Sequence, residues 1–116
     1  MKWIDLSDEG QIEMIKEQSS REPVVIFKHS TRCSISSMAK NRLERESPLG
    51  DNLPFYFLDL IKYRTISNKI ADDFNVYHQS PQVLIIKNGE CTYEESHYGI
   101  SMADILENSG VENQNA

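Results

Sequence analysis

The segment from Pro23 to Ser36 reads Pro23-Val24-Val25-Ile26-Phe27-Lys28-His29-Ser30-Thr31-Arg32-Cys33-Ser34-Ile35-Ser36. It is apolar at every position from Val24 to Phe27, which predicts a central strand covered on both faces. From the far side of Cys33, apolar residues recur at the spacing of a helix: Ile35, Met38, Ala39 and Leu43. The segment therefore predicts a buried strand that turns into a helix, with Cys33 at the turn.

Cys33 has the surroundings of a reactive thiol. A thiol at a helix N-terminus meets the positive end of the helix dipole and free backbone N–H groups, and both favour the thiolate. Three residues later the chain has Ser36 instead of a second cysteine. The pattern Cys-x-x-Ser predicts a nucleophile without a resolving thiol in its own motif. The alternative is an inert cysteine that packs as a small apolar residue.

Length and charge narrow the possible functions. The chain has 116 residues, enough for one domain with its own core, and 39% of them are hydrophobic. Its net charge of -6 argues against a nucleic-acid partner, because phosphates would be repelled. There is neither an apolar run of membrane-spanning length nor a signal-peptide pattern at the N-terminus. We therefore expect a cytoplasmic protein without membrane association, in a compartment where thiols stay reduced.

The rest of the chain continues an alternation of strands and helices. Strands are predicted at about residues 3–6, 24–27, 55–60, 83–86 and 90–95, and helices at about 8–18, 34–46, 66–75 and 102–108. Ser7 is the expected N-cap of the first helix, and Met14 is expected on its apolar side with Ile12 and Ile15. The segment 47–50 is expected to end the second helix.

Two turns near the C-terminal end have clear signals. Asn88-Gly89 is typical of a type I′ hairpin turn, and Ser101 is the expected N-cap of the last helix.

The element order is then β-α-β-α-β-α-β-β-α. It predicts an α/β fold with one mixed, mainly parallel sheet and helices on both faces. Residues 1–110 would form a single domain, followed by a flexible polar tail at 111–116.

This order is that of the thioredoxin fold, and Cys33 and Pro81 fall where thioredoxins carry their nucleophile and a cis-proline. The stretch Ser30-Thr31-Arg32-Cys33-Ser34-Ile35-Ser36 resembles the Thr-x-Cys-Pro-Ile-Ser signature of the YtxJ-like monothiol bacilliredoxin family. The resemblance extends over nearly the whole chain, through Trp3, Ser80-Pro81-Gln82 and Gly99-Ile100-Ser101.

The chain departs from its relatives at two positions near the thiol. Ser34 stands where the bacilliredoxin signature has proline, which leaves one more backbone N–H near the sulfur. Phe27 stands where thioredoxins have a buried aspartate that helps to deprotonate the resolving cysteine. A motif without a resolving cysteine does not need that carboxylate.

The resemblance assigns roles around Cys33. It implies a cis bond before Pro81, so that the backbone of Ser80 would pair with an incoming substrate as an added strand. Arg32, beside Thr31, would favour the thiolate or bind a carboxylate of a small thiol. Ser36 would either donate to the thiolate or serve as an ordinary residue of the first helical turn. Each of these residues also has a purely structural interpretation.

The other cysteine and the histidines receive weaker predictions. Cys91, in the hairpin, is expected to pack in the structure, although a resolving role stays open. His29, His78 and Cys33 lack the close spacing of zinc ligands, so no metal is expected.

The resemblance implies a monothiol thiol–disulfide oxidoreductase with Cys33 as its catalytic residue. It would remove a low-molecular-weight thiol from protein mixed disulfides, with bacillithiol as co-substrate and no tightly bound cofactor. Two alternatives remain: a non-catalytic adaptor that binds a protein partner, and a glutathione-dependent glutaredoxin-like protein. An iron–sulfur carrier is disfavoured because Cys33-Ser34-Ile35-Ser36 lacks the glycine and aromatic residue of carrier glutaredoxins.

Overall fold

A computed structural model describes residues 1–47 and 53–110 of the chain. In chain order its elements are β1 Trp3–Asp5, α1 Gly10–Gln18, β2 Val24–His29, α2 Ser34–Arg45, β3 Phe55–Asp59, α3 Arg64–Asp73, β4 Gln82–Lys87, β5 Glu90–Ser96, a 3₁₀ turn His97–Gly99, and α4 Met102–Ser109. The predicted order of strands and helices is confirmed. Most of the predicted stop of the second helix, at 48–50, and the predicted tail at 111–116 lie outside the described residues.

Strand β2 lies at the centre of the sheet. Within the described residues the sheet has five strands in the order β1-β3-β2-β4-β5. The pairs β1–β3 and β3–β2 are parallel, whereas β4 runs antiparallel to both β2 and β5. All six residues of β2 are buried. This burial explains why the strand is apolar at consecutive positions instead of alternating.

Two apolar layers cover the two faces of the sheet. Alternate residues of a strand point to opposite faces. Val24 and Ile26 therefore pack under α1 and α3, and Val25 and Phe27 pack under α2 and α4. The same alternation sends Lys28 and His29, the last residues of β2, in opposite directions.

Helix α1 differs from the prediction at its start and on one face. It begins at Gly10 with Glu9 as N-cap, so Ser7 was wrongly assigned as the cap. Asp8 takes over part of that role, because its carboxylate accepts a hydrogen bond from the Gly10 N–H at 2.7 Å. Met14 is 62% exposed, because it lies about 200° around the helix from Ile12. The prediction that Met14 joins the apolar side was wrong.

Helix α2 buries a serine, and the prediction that Met38 lies on its buried side was wrong. Ser36, Ala39 and Leu43 face the sheet, whereas Met38 is 54% exposed. The buried face follows the spacing i, i+3 and i+7, which includes Ser36 and excludes Met38.

The turns at the end of the chain agree with their sequence signals. Asn88 and Gly89 have φ angles of 51° and 76°, as a type I′ turn requires. The Ser101 hydroxyl accepts a hydrogen bond from the Asp104 N–H at 3.2 Å, and so caps α4. Both predictions are confirmed.

Trp3 joins the sheet to α2. Its indole stacks on Phe27 with ring centroids 5.6 Å apart, and its N–H donates to a Glu44 carboxylate oxygen at 2.8 Å. This hydrogen bond holds the pKa of Glu44 below its usual range. Lys40 contacts the same carboxylate oxygen at 3.0 Å. The N-terminal strand thus helps to hold α2 in its place.

Lys28 is a buried cation within the apolar layer under α3. It is fully buried, and its ammonium group donates to the Ser67 carbonyl oxygen at 3.2 Å and lies 3.4 Å from His78 Nδ1. Burial lowers the pKa of Lys28 to about 8 from an ordinary value of 10.5. The charged form therefore costs folding free energy at neutral pH.

Replacing Lys28 by methionine should stabilise the fold at pH 7 by roughly 1–3 kcal/mol, because it removes a buried charge and keeps the side-chain volume. The cost of Lys28 is fully present below pH 8 and disappears as the pH approaches 10.5. The advantage of Lys28→Met should therefore shrink over that range. Urea unfolding at several pH values measures it, with the exposed Lys2→Met as control. A Lys28→Met protein that is less stable than wild type at pH 7 would contradict this expectation.

Candidate active site

Cys33 is the N-cap residue of α2. Its backbone is extended, with φ -114° and ψ 118°, and its carbonyl oxygen accepts the first helical hydrogen bond from Ser37 N–H at 3.1 Å. The N–H groups of the first turn have no partner within the helix and concentrate positive charge at this end. The side chain is half-buried and is not part of a disulfide. The predicted placement of the thiol at a helix N-terminus is confirmed.

Ser36 contacts the end of β2 from the first turn of α2. Its oxygen accepts a hydrogen bond from Ser30 N–H at 3.0 Å and lies 2.7 Å from His29 Nδ1. Ser36 is fully buried, and His29 is 5% exposed. The hydroxyl at the position of a resolving cysteine is therefore bound to the strand and the turn. Sequence reasoning noted His29 only as a metal-ligand candidate and missed this contact.

The environment of His29 favours its neutral form. The imidazole lies against the rings of Phe57 and Phe27, with centroids 5.3 and 5.9 Å away. Burial lowers the pKa of His29, and the positive charge of Lys40 lowers it further. Both effects favour the neutral imidazole over the imidazolium.

Ser80 and Pro81 lie at the same end of the sheet as the Cys33 turn. The peptide bond between them is cis, as predicted. The following residue, Gln82, is the register partner of Lys28, one position before the end of β2. Pro81 is buried, and the Ser80 hydroxyl is buried without a hydrogen-bond partner among the residues that the structure describes.

The remaining predicted site residues are on the surface. Thr31 and Arg32 precede Cys33 and are exposed, and Ser34, the first residue of α2, is exposed as well. These side chains are accessible to a substrate that approaches the thiol. The exposed guanidinium of Arg32 is available for a carboxylate.

A third segment, which the sequence did not identify as part of the site, reaches the same region. The turn His97–Gly99 packs against α2, and His97 N–H donates to the Pro81 carbonyl oxygen at 3.1 Å. Arg42 of α2 donates to the Ile100 carbonyl oxygen at 3.0 Å. His97 has a φ of 57°, in the left-handed region that non-glycine residues rarely adopt. No local motif predicts such a contact, because it joins segments that are distant in the chain.

Cys91 lies at the opposite end of the sheet from Cys33. It pairs with Ile86, which in turn pairs with Val24, the first residue of β2. The length of β2 therefore separates Cys91 from the Cys33 end by roughly 16 Å, and two inter-strand spacings add about 10 Å. A disulfide needs Cα atoms within about 7 Å. Cys91 is out of reach as a resolving thiol for Cys33.

The two histidines considered as metal ligands lie on opposite faces of the sheet. His29 points to the face under α2, whereas His78 contacts Lys28 on the other face. Among residues 1–47 and 53–110 there is no group of three or more histidine, cysteine or acidic side chains placed to hold a metal ion.

In the same part of the chain, no helix has the length and apolar character needed to cross a membrane.

Comparison with known proteins decides the family. The sequence model of the family described as monothiol bacilliredoxin BrxC matches residues 4–105. The chain belongs to the monothiol bacilliredoxin family. This match includes Cys33 and Pro81, and it supports a thiol-oxidoreductase function for this bacilliredoxin.

Solved structures give the same fold for this bacilliredoxin. A protein of thioredoxin fold assigned as an oxidoreductase is 29% identical, with a TM-score of 0.80, over 91% of this chain and 92% of that one. Thioredoxin from Malassezia sympodialis is 23% identical, with a TM-score of 0.73, over 94% and 91% of the two chains. Thioredoxin from Schistosoma mansoni is 22% identical, with a TM-score of 0.68, over 92% and 94%. The thioredoxin fold is thereby confirmed.

The two cysteines should differ strongly in reactivity. Burial raises the pKa of Cys91, and its thiol donates a hydrogen bond to the Tyr93 carbonyl oxygen at 3.2 Å. Iodoacetamide at pH 7 should therefore label Cys33 first and leave Cys91 largely unmodified until the protein unfolds. Peptide mass spectrometry after short labelling times measures both rates, with urea-unfolded protein as the control. Equal labelling of the two residues in the folded protein would contradict the site.

Proposed function

We propose that this bacilliredoxin is a monothiol thiol–disulfide oxidoreductase that removes or transfers bacillithiol from protein mixed disulfides through Cys33. One observation carries the proposal: Cys33 occupies the N-cap position of α2, Ser36 contacts His29 in place of a resolving cysteine, and Cys91 lies at the other end of the sheet. Such a thiol can accept a small-thiol adduct but cannot resolve it within its own chain. Proteins that carry mixed disulfides in the cytoplasm are the proposed partners.

The first step transfers the small thiol to Cys33. The Cys33 thiolate attacks the bacillithiol sulfur of the mixed disulfide, a new S–S bond forms, and the bond to the client breaks. The client leaves as a thiolate and takes a proton from water. No net oxidation occurs, because one disulfide replaces another.

The second step needs a thiol from another molecule. Ser36 has no thiol to offer, and Cys91 lies at the other end of the sheet. A second bacillithiol thiolate attacks the adduct, forms the symmetrical bacillithiol disulfide and releases the Cys33 thiolate. Attack by another protein's thiol instead would pass the adduct on. Bacillithiol is thus a co-substrate, and no tightly bound cofactor is needed.

The surface around Cys33 supports substrate binding. The cis bond before Pro81 lies at the Cys33 end of the sheet, where the backbone of Ser80 would pair with an incoming client segment as an added strand. Thr31, Arg32 and Ser34 are exposed next to the thiol, and Arg32 would bind a carboxylate of the small thiol. We assign these residues to the binding of the client backbone and of bacillithiol.

The decisive test measures removal of bacillithiol from a client protein by intact mass. Wild type and Cys91→Ser should clear the adduct at the same rate when free bacillithiol is present. Cys33→Ser should fall to the uncatalysed level, because the only proposed nucleophile is gone. Without free bacillithiol, the adduct should accumulate on Cys33.

Other outcomes would overturn the proposal in different ways. An adaptor would leave the client adduct untouched in every variant. Equal or faster clearance of a glutathione adduct by free glutathione would mean that the protein is glutaredoxin-like. Accumulation of the adduct in Cys91→Ser, but not in wild type, would make Cys91 a resolving thiol.

A further inference from the structure

The strongest feature that the proposed function leaves unused is the buried contact between His29 and Ser36. We propose that His29 is a positioning residue for Cys33, which acts through the Ser36 hydroxyl to fix the turn that presents the thiol. The proposal rests on the proposed function only for its effect on turnover, because its effect on the reactivity of Cys33 can be measured separately.

A short chain of hydrogen bonds connects the imidazole to the nucleophile. His29 Nδ1 and the Ser36 oxygen are 2.7 Å apart, and the same oxygen accepts from Ser30 N–H at 3.0 Å. The Ser30 carbonyl oxygen accepts from Cys33 N–H at 3.2 Å. One hydroxyl therefore ties together the end of β2, the turn before Cys33 and the first turn of α2.

The burial of this pair makes the contact important. His29 is 5% exposed and Ser36 is fully buried, so bulk water does not replace a lost partner. A buried polar group that loses its hydrogen bond is left unsatisfied, which costs folding free energy. The turn between Ser30 and Cys33 would move to recover partners, and the sulfur would move with it.

The protonation state of His29 decides where the Ser36 hydrogen points. Where Nδ1 of the neutral ring carries no hydrogen, it accepts the single hydroxyl hydrogen of Ser36, whose oxygen accepts from Ser30 N–H. Lys40 and Glu44 face the imidazole from α2 and Asp59 faces it from β3. Burial and Lys40 outweigh the two carboxylates and lower the pKa of His29, which favours the neutral ring. In that tautomer Ser36 donates its hydrogen to His29 and has none to donate to the Cys33 sulfur.

The local sequence fits this arrangement. Phe27, two residues earlier in β2, places its ring 5.9 Å from the His29 ring. The imidazole of His29 lies on the same face of β2 as that ring, because alternate residues of a strand share a face. It contacts the residue that stands in place of the resolving cysteine.

The experiment compares three substitutions in a Cys91→Ser background, so that only Cys33 can be alkylated. His29→Phe keeps an aromatic ring beside Phe57 but removes the hydrogen bond. His29→Asn places an amide oxygen near the position of Nδ1 and cannot titrate. Ser36→Ala removes the hydroxyl, and Ser37→Ala, at an exposed neighbour, is the matched control.

We expect His29→Phe and Ser36→Ala each to slow iodoacetamide alkylation of Cys33 by about tenfold, the effect of one hydrogen bond worth about 1.4 kcal/mol. Their combination should be no slower than the slower single variant, because both remove the same interaction. His29→Asn should remain within about threefold of wild type, whatever its melting temperature, because it restores the hydrogen bond. Ser37→Ala should match wild type.

Several results would overturn the proposal. Wild-type alkylation in folded Ser36→Ala would do so alone, even if His29→Phe does not fold. Equal slowing in His29→Asn and His29→Phe would assign the effect to ring packing, and additive effects in the double variant would make the two residues independent. Failure of wild type to clear a bacillithiol adduct would reject the proposed function. It would leave the alkylation pattern to decide the role of His29.

Discussion

The burial of β2 on both faces is the constraint on which the rest of the structure depends. The strand is covered by α1 and α3 on one side and by α2 and α4 on the other. It has no accessible face, so functional residues can reach solvent only beyond its last residue, His29. The turn that follows must bring Cys33 to the surface and start α2 within a few residues. The thiol therefore lies at the end of the sheet at which β4 begins. Pro81 immediately precedes β4 at this end.

Much of this fold could be predicted because hydrophobic periodicity reports burial directly. The apolar run of β2, the Asn88-Gly89 turn and the Ser101 cap each have a local physical cause, and all three are found. The antiparallel direction of β4 against β2 had no such signal, because a strand buried on both faces looks the same in either direction. Met38 was wrongly predicted to face the sheet. The buried face of α2 includes the polar Ser36, which a search for apolar residues does not identify.

Some features of the candidate site could also be predicted from the sequence, and others could not. Cys33 was predictable from the change from strand to helix, and the cis bond before Pro81 from the family resemblance. The partners of Ser36 were not, because a serine in a first helical turn is ordinary in sequence. The contact of His97 with Pro81 depends on how the end of β5 packs against α2. Contacts between elements distant in the chain leave no mark in the periodicity of either element.

Trp3 gives this molecule a built-in optical probe. It is the single tryptophan of the chain, and its indole lies between the Phe27 ring and the carboxylate of Glu44. Indole emission is sensitive to nearby charge and to hydrogen bonding at the ring N–H. Loosening of α2 from the sheet would break the bond to Glu44 and change the emission, even if the thiol itself were untouched. Fluorescence can therefore report, in real time and without a label, whether α2 stays attached to the sheet while Cys33 reacts.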